Sequence, residues 1–187
     1  LAMFACRKPI VGAINGAAVG IGATMTLPMD FRFASEKARI GFVFGRLGIT
    51  PEACSTWFLP RIVGLEQALE WMYSAEIFDA AEALDRKLVR AVCAPEKLLD
   101  EACAFARKLV TDRSPVSVAL IRQMMYRNSA APSPLDAHCV ESLAMFYTSI
   151  GDGKEGVQAF LGKRPPQFSA QASAMPPFFA PWLDEHA

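Results

Sequence analysis

The sequence predicts an α/β (α+β) fold, with short strand–turn–helix units first and a helical region second. Three observations carry that expectation. From Ile10 to Phe44, brief apolar, β-prone runs alternate with Gly, Pro and Asn-Gly signals. From Leu65 onward, apolar residues recur at helical spacing almost throughout. Hydrophobic residues fill 52% of the 187 positions, enough for a substantial core in one domain of ordinary size, with or without an appendage.

The first element raises a membrane question, because no charge occurs from Pro9 to Met29. A spanning helix wants about 20 predominantly apolar residues. Here Asn15-Gly16 interrupts the run, and small residues keep its hydrophobicity modest, so three pieces are expected instead. Ile10–Ile14 reads as a buried strand, Asn15–Gly20 as a tight loop, and Ile21–Leu27 as a buried helix stopped near Pro28. Phe31–Ala34 reads as a second strand, Ser35–Lys37 as a polar turn and Ala38–Phe44 as an apolar β-prone run, with Gly45 and Gly48 in the loop that follows. Thr50-Pro51-Glu52 has the chemistry of a helix start: Thr at N-cap, Pro at N1, an acid in the first turn. That helix runs through Leu59 and halts between Pro60 and Gly64.

Leu65, Leu69, Met72 and Tyr73 then share one helical face. Ala80–Lys87 predicts a helix and Leu88–Val92 a short strand. Helices follow over Pro95–Thr111, Pro115–Arg127, Pro134–Ile150 and Gly156–Leu161. The tail from Ser169 to Ala187 reads as an irregular Ala/Pro-rich arm. The expected division is 1–94 for the strand-containing core, 95–168 for the helical region and 169–187 for the tail.

Composition narrows the function classes. Lys+Arg and Asp+Glu are both 19, so the chain lacks the basic excess of a nucleic-acid binder. The five cysteines, at 6, 54, 93, 103 and 139, form no C-x-x-C and no zinc set with two histidines. An odd, scattered count reads as free thiols in a reducing cytoplasm. No signal-peptide pattern opens the sequence and position 1 is not Met, so it reads as beginning in mid-protein.

Candidate chemistry is sparse. Neither His138 nor His186 has a Ser/Asp or Cys partner at triad spacing. Cys54 stands near a helix start, where thiolates are stabilised, or is a small buried residue. Gly20-Ile21-Gly22 lies between a turn and a helix; it serves either close packing or the approach of an anionic group to free first-turn N–H groups. Glu52 is either an acid favoured by the helix dipole or a catalytic carboxylate.

In order along the chain, several motifs join these pieces: Lys8-Pro9 with Ile10–Gly16, Gly20-Ile21-Gly22, Asp30, Ser35–Gly41, Leu59–Gly64, Phe78–Ala83 and Glu155–Arg164. As an ordered set, from Lys8 to about Phe168, they resemble the crotonase (enoyl-CoA hydratase/isomerase) superfamily. The resemblance implies a crotonase-like spiral of β-β-α units followed by a C-terminal helical trimerisation region, hence a homotrimer or dimer of trimers. It implies an acyl-CoA thioester as substrate, coenzyme A entering only as part of that substrate; zero net charge and the interrupted apolar run, read from the residues themselves, predict neither a nucleic acid nor a membrane as partner. Family members carry several β/α turns before the Lys-Pro motif. Those turns supply one oxyanion donor and much of the adenine pocket, and they are absent from this sequence.

By the same resemblance, the backbone N–H of Ile21, between Gly20 and Gly22, is an oxyanion-hole donor for the thioester enolate. The positions matching the two glutamates of hydratases are Thr24 and Phe44, which makes two-carboxylate hydration an unfavoured reading. Glu52 matches the acid of single-acid relatives, including Δ3,Δ2-enoyl-CoA isomerases, dienoyl-CoA isomerases and an aryl-CoA dehalogenase. The implied activity is Δ3 to Δ2 isomerisation with Glu52 as proton carrier, a nucleophilic Glu52 staying open. The alternative is a non-catalytic crotonase-fold CoA-thioester binder or scaffold, or another acyl-CoA reaction. Phe42 and Phe44, with Trp57 or Phe58, form the implied acyl wall, or ordinary core. Lys163 matches a lysine of the family's last helix that reaches the CoA phosphates.

Overall fold

The computed structural model describes residues 1–185; His186, expected to be structural or solvated, lies outside the described residues. Two compact units form: Leu1–Phe4 with Ile10–Ala106, and Ala5–Pro9 with Arg107–Ala187.

The first unit is the expected ββα spiral. Strand β1 (Val11–Ile14) leads through Asn15-Gly16 into β2 (Ala17–Val19) and helix α1 (Ile21–Thr24). The next turn supplies β3 (Phe31–Ser35) and β4 (Arg39–Gly41), then a 3₁₀ turn at Gly45–Leu47 and helices α2 (Ser55–Val63) and α3 (Leu65–Ser74). The last turn contributes β5 (Ile77–Asp79), α4 (Ala80–Asp85), β6 (Ala91–Cys93) and α5 (Leu98–Val110), the final residues of α5 passing into the second unit. Two small sheets grow in step. One has the order β1-β3-β6, all parallel, with Val11 opposite Phe31 and Phe33 opposite Ala91. The other has the order β2-β4-β5, parallel then antiparallel, with Ala17 opposite Arg39 and Ile40 opposite Phe78.

Two strands within this spiral, β2 and β5, fall where the sequence predicts a loop or nothing. Each has three residues, too few for an alternating pattern, and each exists because β4 pairs with it. The turn from β1 to β2 is fixed by the buried Ser35 hydroxyl, which donates to the Asn15 carbonyl at 2.5 Å. Helix α1 ends at Thr24 rather than near Pro28. The carbonyls beyond it bond to the buried guanidinium of Arg32: Met29 O at 2.6 Å, Thr26 O and Leu27 O at 3.3 Å, while Arg32 Nε donates to Leu88 O at 2.7 Å.

Helix α3 is present, but its expected apolar face is the outer one. Leu65, Leu69 and Tyr73 are exposed, whereas Gln67, Ala68 and Trp71 are buried. The Trp71 ring decides this: it stacks on Phe78 at 4.1 Å and on Phe42 at 6.0 Å, and its indole N–H donates to Glu82 at 2.8 Å. Asp79 in turn caps α4, accepting the Glu82 N–H at 2.9 Å, so the Phe78–Ala83 motif is a helix cap and a ring stack in one. Against the other sheet, α5 sets Leu98, Ala102 and Phe105 on Phe33, which keeps its chain in the first unit to Ala106 rather than breaking at 94.

The second unit is helical. Helices α6 (Pro115–Asn128) and α7 (Pro134–Ile150) each begin with a serine N-cap and Pro at N1, Ser114 accepting from Ser117 N–H and Ser133 from Leu135 N–H. Helix α8 (Asp152–Leu161) follows, beginning earlier than Gly156. The tail departs from the expected irregular arm. Its end forms α9 (Phe179–Glu185), and Phe179 and Trp182 are buried with Val116, Leu120, Val140 and Ala144. Proline-rich spacing hid those aromatic anchors, because only their burial on α6 and α7 orders the segment. All five cysteines are free thiols. No helix among the described residues is long and apolar enough to cross a membrane.

Truncating the Phe179 side chain should cost about 3–5 kcal/mol. Urea unfolding of Phe179→Ala checks this, since an unpacked arm would give no change. On the surface, Glu155 binds Arg164 through both carboxylate oxygens at 2.6 and 2.9 Å and accepts Gln167 N–H at 2.8 Å. These bonds, the Arg164 bond foremost, hold its carboxyl down from the ordinary 4.5 to about 2. A depressed carboxylate stabilises above its unfolded pKa and loses that contribution as pH falls toward the folded value. Wild type should therefore lose stability between pH 4.5 and about 2 by an increment absent from Glu155→Gln, measurable as melting temperature against pH.

Candidate active site

The site is built on the turn into α1. Gly20 has φ 59° and ψ −121°, a conformation closed to residues with a Cβ. Its N–H donates to Gly41 O at 2.9 Å, and its carbonyl accepts from Ala23 N–H at 2.9 Å and Thr24 N–H at 3.0 Å. The amides of Ile21 and Gly22 therefore precede the first bonded ones, as a helix start requires, and are left to face a ligand or solvent. Ile21 is 58% exposed, while Ala23 and Thr24 are buried. The uncharged opening run is thus a donor turn preceded by a strand that is half-buried rather than buried, Ala13 being exposed.

Glu52 reaches this helix from a segment far along the chain. Thr24 Oγ1 donates to Glu52 Oε1 at 2.5 Å, across 28 residues of sequence. The hydroxyl lies 3.4 Å from the carbonyls of both Gly20 and Ile21, so the carboxylate is its nearest acceptor. Thr24 is fully buried and Glu52 is exposed, which leaves the carboxylate tethered at one edge and open at the other.

The expected helix start at Thr50 is not formed. Helix α2 begins at Ser55 with Cys54 as N-cap, and no acid occupies its first turn. Ala53 and Cys54 both adopt left-handed backbone, with φ 54° and 56°, and Ser55 N–H donates to Glu52 O at 3.0 Å. Glu52 thus stands in a strained bend before the helix, and the dipole explanation for an acid there loses its basis. Cys54 is exposed rather than buried.

The remaining expected residues separate. Phe42 is fully buried against Trp71 and Phe78, so its ring is core and presents no wall to a substrate. Phe44 is 5% exposed, its carbonyl accepting from Leu47 and Ile49 as the chain enters the 3₁₀ turn. Trp57, half-buried on α2, meets Phe58 edge-on at 4.7 Å and carries the Arg61 guanidinium over its ring at 4.0 Å. Lys163 belongs to the second unit; it is exposed, lies beyond the end of α8 rather than within a helix, and has φ 48°. Ile21, Gly20, Gly22 and Glu52 are therefore brought together through Thr24. Sequence reasoning did not pair Thr24 with Glu52, and no spacing rule links residues so far apart. Among the described residues no group of three His, Cys, Asp or Glu side chains could hold a metal ion.

Comparison with known proteins agrees with this geometry. The family described as enoyl-CoA hydratase/isomerase matches residues 1–171. An enoyl-CoA hydratase of Alternaria alternata is 42% identical over 171 residues, covering 90% of this chain and 57% of the relative. The 1,2-epoxyphenylacetyl-CoA isomerase of Escherichia coli (strain K12) is 34% identical over 168 residues, covering 88% of this chain and 62% of that protein. The chain thus spans less than two thirds of the length of either. A crystal structure of a probable enoyl-CoA hydratase/isomerase from Mycobacterium abscessus superposes with a TM-score of 0.84 at 30% identity, over 90% of this chain and 68% of that one. A ββα spiral with a glycine-led donor turn, a match over nearly the whole sequence and this structural likeness have one meaning: the chain belongs to the enoyl-CoA hydratase/isomerase family of the crotonase superfamily.

Proposed function

We propose that the protein carrying this sequence shifts a double bond in an acyl-CoA thioester from Δ3 to Δ2, with Glu52 carrying the proton. The observation that carries this reading is a single carboxylate hydrogen-bonded to the donor helix through a hydroxyl, with no second carboxylate beside it at Thr24 or Phe44. Glu52 takes the proton at C2, acidified by the thioester and the neighbouring alkene. The electron pair passes to the thioester oxygen, where the Ile21 N–H stabilises the enolate. The proton returns at C4 as the C3=C4 bond becomes C2=C3. Such a backbone donor is worth about 2.7–4 kcal/mol in the transition state. A positioned acid–base group adds about 10²–10⁴-fold. No cofactor is consumed, because coenzyme A enters and leaves as part of the substrate.

Gly20 and Gly22 let the thioester approach the backbone and the exposed edge of Trp57 borders the acyl chain, while Lys163, in the second unit, offers its ammonium to the CoA phosphates of a neighbouring subunit. A homotrimer or dimer of trimers is the proposed assembly. Exposed Ile121 and Met125 on α6, with Met145 and Phe146 on α7, support it as apolar surface suited to a second copy. The free thiols suit the reducing cytoplasm.

Hydration of a 2-enoyl-CoA is the second reading, favoured by the name of the fungal relative. It lacks the carboxylate pair that would hold and activate water. Incubating the protein with a 3-enoyl-CoA should raise the ultraviolet absorbance of the conjugated 2-enoyl thioester. Glu52→Gln should lower that rate by about 10²–10⁴-fold. Loss of absorbance from a 2-enoyl-CoA would establish hydration instead, and binding without either signal would establish a thioester binder. In sedimentation velocity, Ile121→Glu combined with Met125→Glu should convert the assembly to monomer.

A further inference from the structure

We infer that Thr24 is a positioning residue: its buried hydroxyl fixes one oxygen of Glu52, so that the other alone carries the proton between C2 and C4. The inference rests on the isomerase reading and concerns the same site. A threonine within a helix ordinarily returns its hydroxyl proton to a carbonyl three or four residues back. Both of those carbonyls are available to Thr24, at 3.4 Å, yet the Glu52 carboxylate oxygen stands at 2.5 Å. A hydroxyl has one proton to give, and an ionised acceptor takes it in preference to a neutral one.

The consequence for Glu52 is geometric. Oε1 is held by a side chain that is fully buried on α1 and has no freedom to follow it into solvent. Oε2 makes no hydrogen bond to the described residues. On the other side of Glu52 the chain bends, with φ 54° at Ala53 and 56° at Cys54, and Ser55 N–H binds the Glu52 carbonyl. A long, otherwise exposed side chain is thereby tied to the helix that carries the Ile21 donor, three residues before Thr24.

A 1,3-proton transfer needs this restraint more than a simple deprotonation does. The C2–H bond breaks and an Oε2–H bond forms. That bond then breaks as C4–H forms, and the enolate pair restores the thioester carbonyl. Between the two steps the proton rests on Oε2. A carboxyl fixed at its other oxygen keeps that proton over the substrate and returns it, whereas a carboxyl free to rotate carries it into solvent, where it exchanges.

The experiment is isomerisation of a 3-enoyl-CoA in D₂O, reading kcat, KM and deuterium at C4 of product at low conversion. Thr24→Val, which keeps shape and removes the hydroxyl, should lower kcat about 10–100-fold. Its KM should stay within about two-fold, and its C4 deuterium should rise several-fold over wild type. Thr24→Ser should restore both readouts. In the Glu52→Gln background, Thr24→Val should cause no further loss, since Thr24 acts through that carboxylate. Wild-type kcat and deuterium content in Thr24→Val would overturn the inference while leaving the isomerase intact; no isomerisation by wild type would overturn the reading on which it rests. Should Thr24→Val fail to fold, Glu52→Asp loosens the same tether from the opposite side. It must then show raised C4 deuterium, and unchanged deuterium would equally defeat the inference.

Discussion

The backbone conformation at Gly20 is the constraint on which the first unit depends. One residue ends β2, begins α1 and bonds to the last residue of β4, through an N–H directed at Gly41 and a carbonyl that accepts both first bonds of the helix. Gly41 is bound by a different limit: a Cβ there would stand 3.0 Å from the Ile77 side chain and 3.1 Å from Glu76 O, where β5 closes on β4. Two glycines thus join three strands and a helix by close approach alone. The exposed Ile21 amide and the buried Thr24 side chain are consequences of how α1 leaves that turn.

Short strands leave many carbonyls without a ladder partner, and the interior supplies donors for them. Arg32 collects three carbonyls where α1 has ended and a fourth at Leu88, Ser35 satisfies Asn15, and Thr24 turns to a carboxylate. A buried guanidinium is tolerable only when its donors are met in this way. Polar atoms therefore specify turns here, and aromatic rings specify layers: Phe42, Trp71 and Phe78 hold α3 to one sheet, while Phe33 and Phe105 hold α5 to the other.

Much of the fold was legible where local chemistry and packing agree. Ser114-Pro115 and Ser133-Pro134 announce α6 and α7, and both helices begin there. The same chemistry at Thr50-Pro51 misleads, because Ala53 and Cys54 take left-handed backbone and delay the helix to Ser55. The stripe Leu65, Leu69, Tyr73 gives a helix correctly and its buried side wrongly, since one stacked tryptophan outweighs it. At the site, Gly20 and Glu52 stood out as residues of interest, but their roles came from family resemblance. The bond between Thr24 and Glu52 is a product of tertiary structure, and nothing local in either segment encodes it.

The parallel registers of the two sheets leave the chain no slack. Because β1 pairs with β3 and β2 pairs with β4 in one continuous path, a residue inserted at Asn15-Gly16 would displace β2 against β4 by one strand step, about 3.3 Å. The donor turn and Thr24 would travel with it, while Glu52, attached beyond β4, would stay. A residue added at this turn would therefore part the Ile21 amide and Thr24 from Glu52.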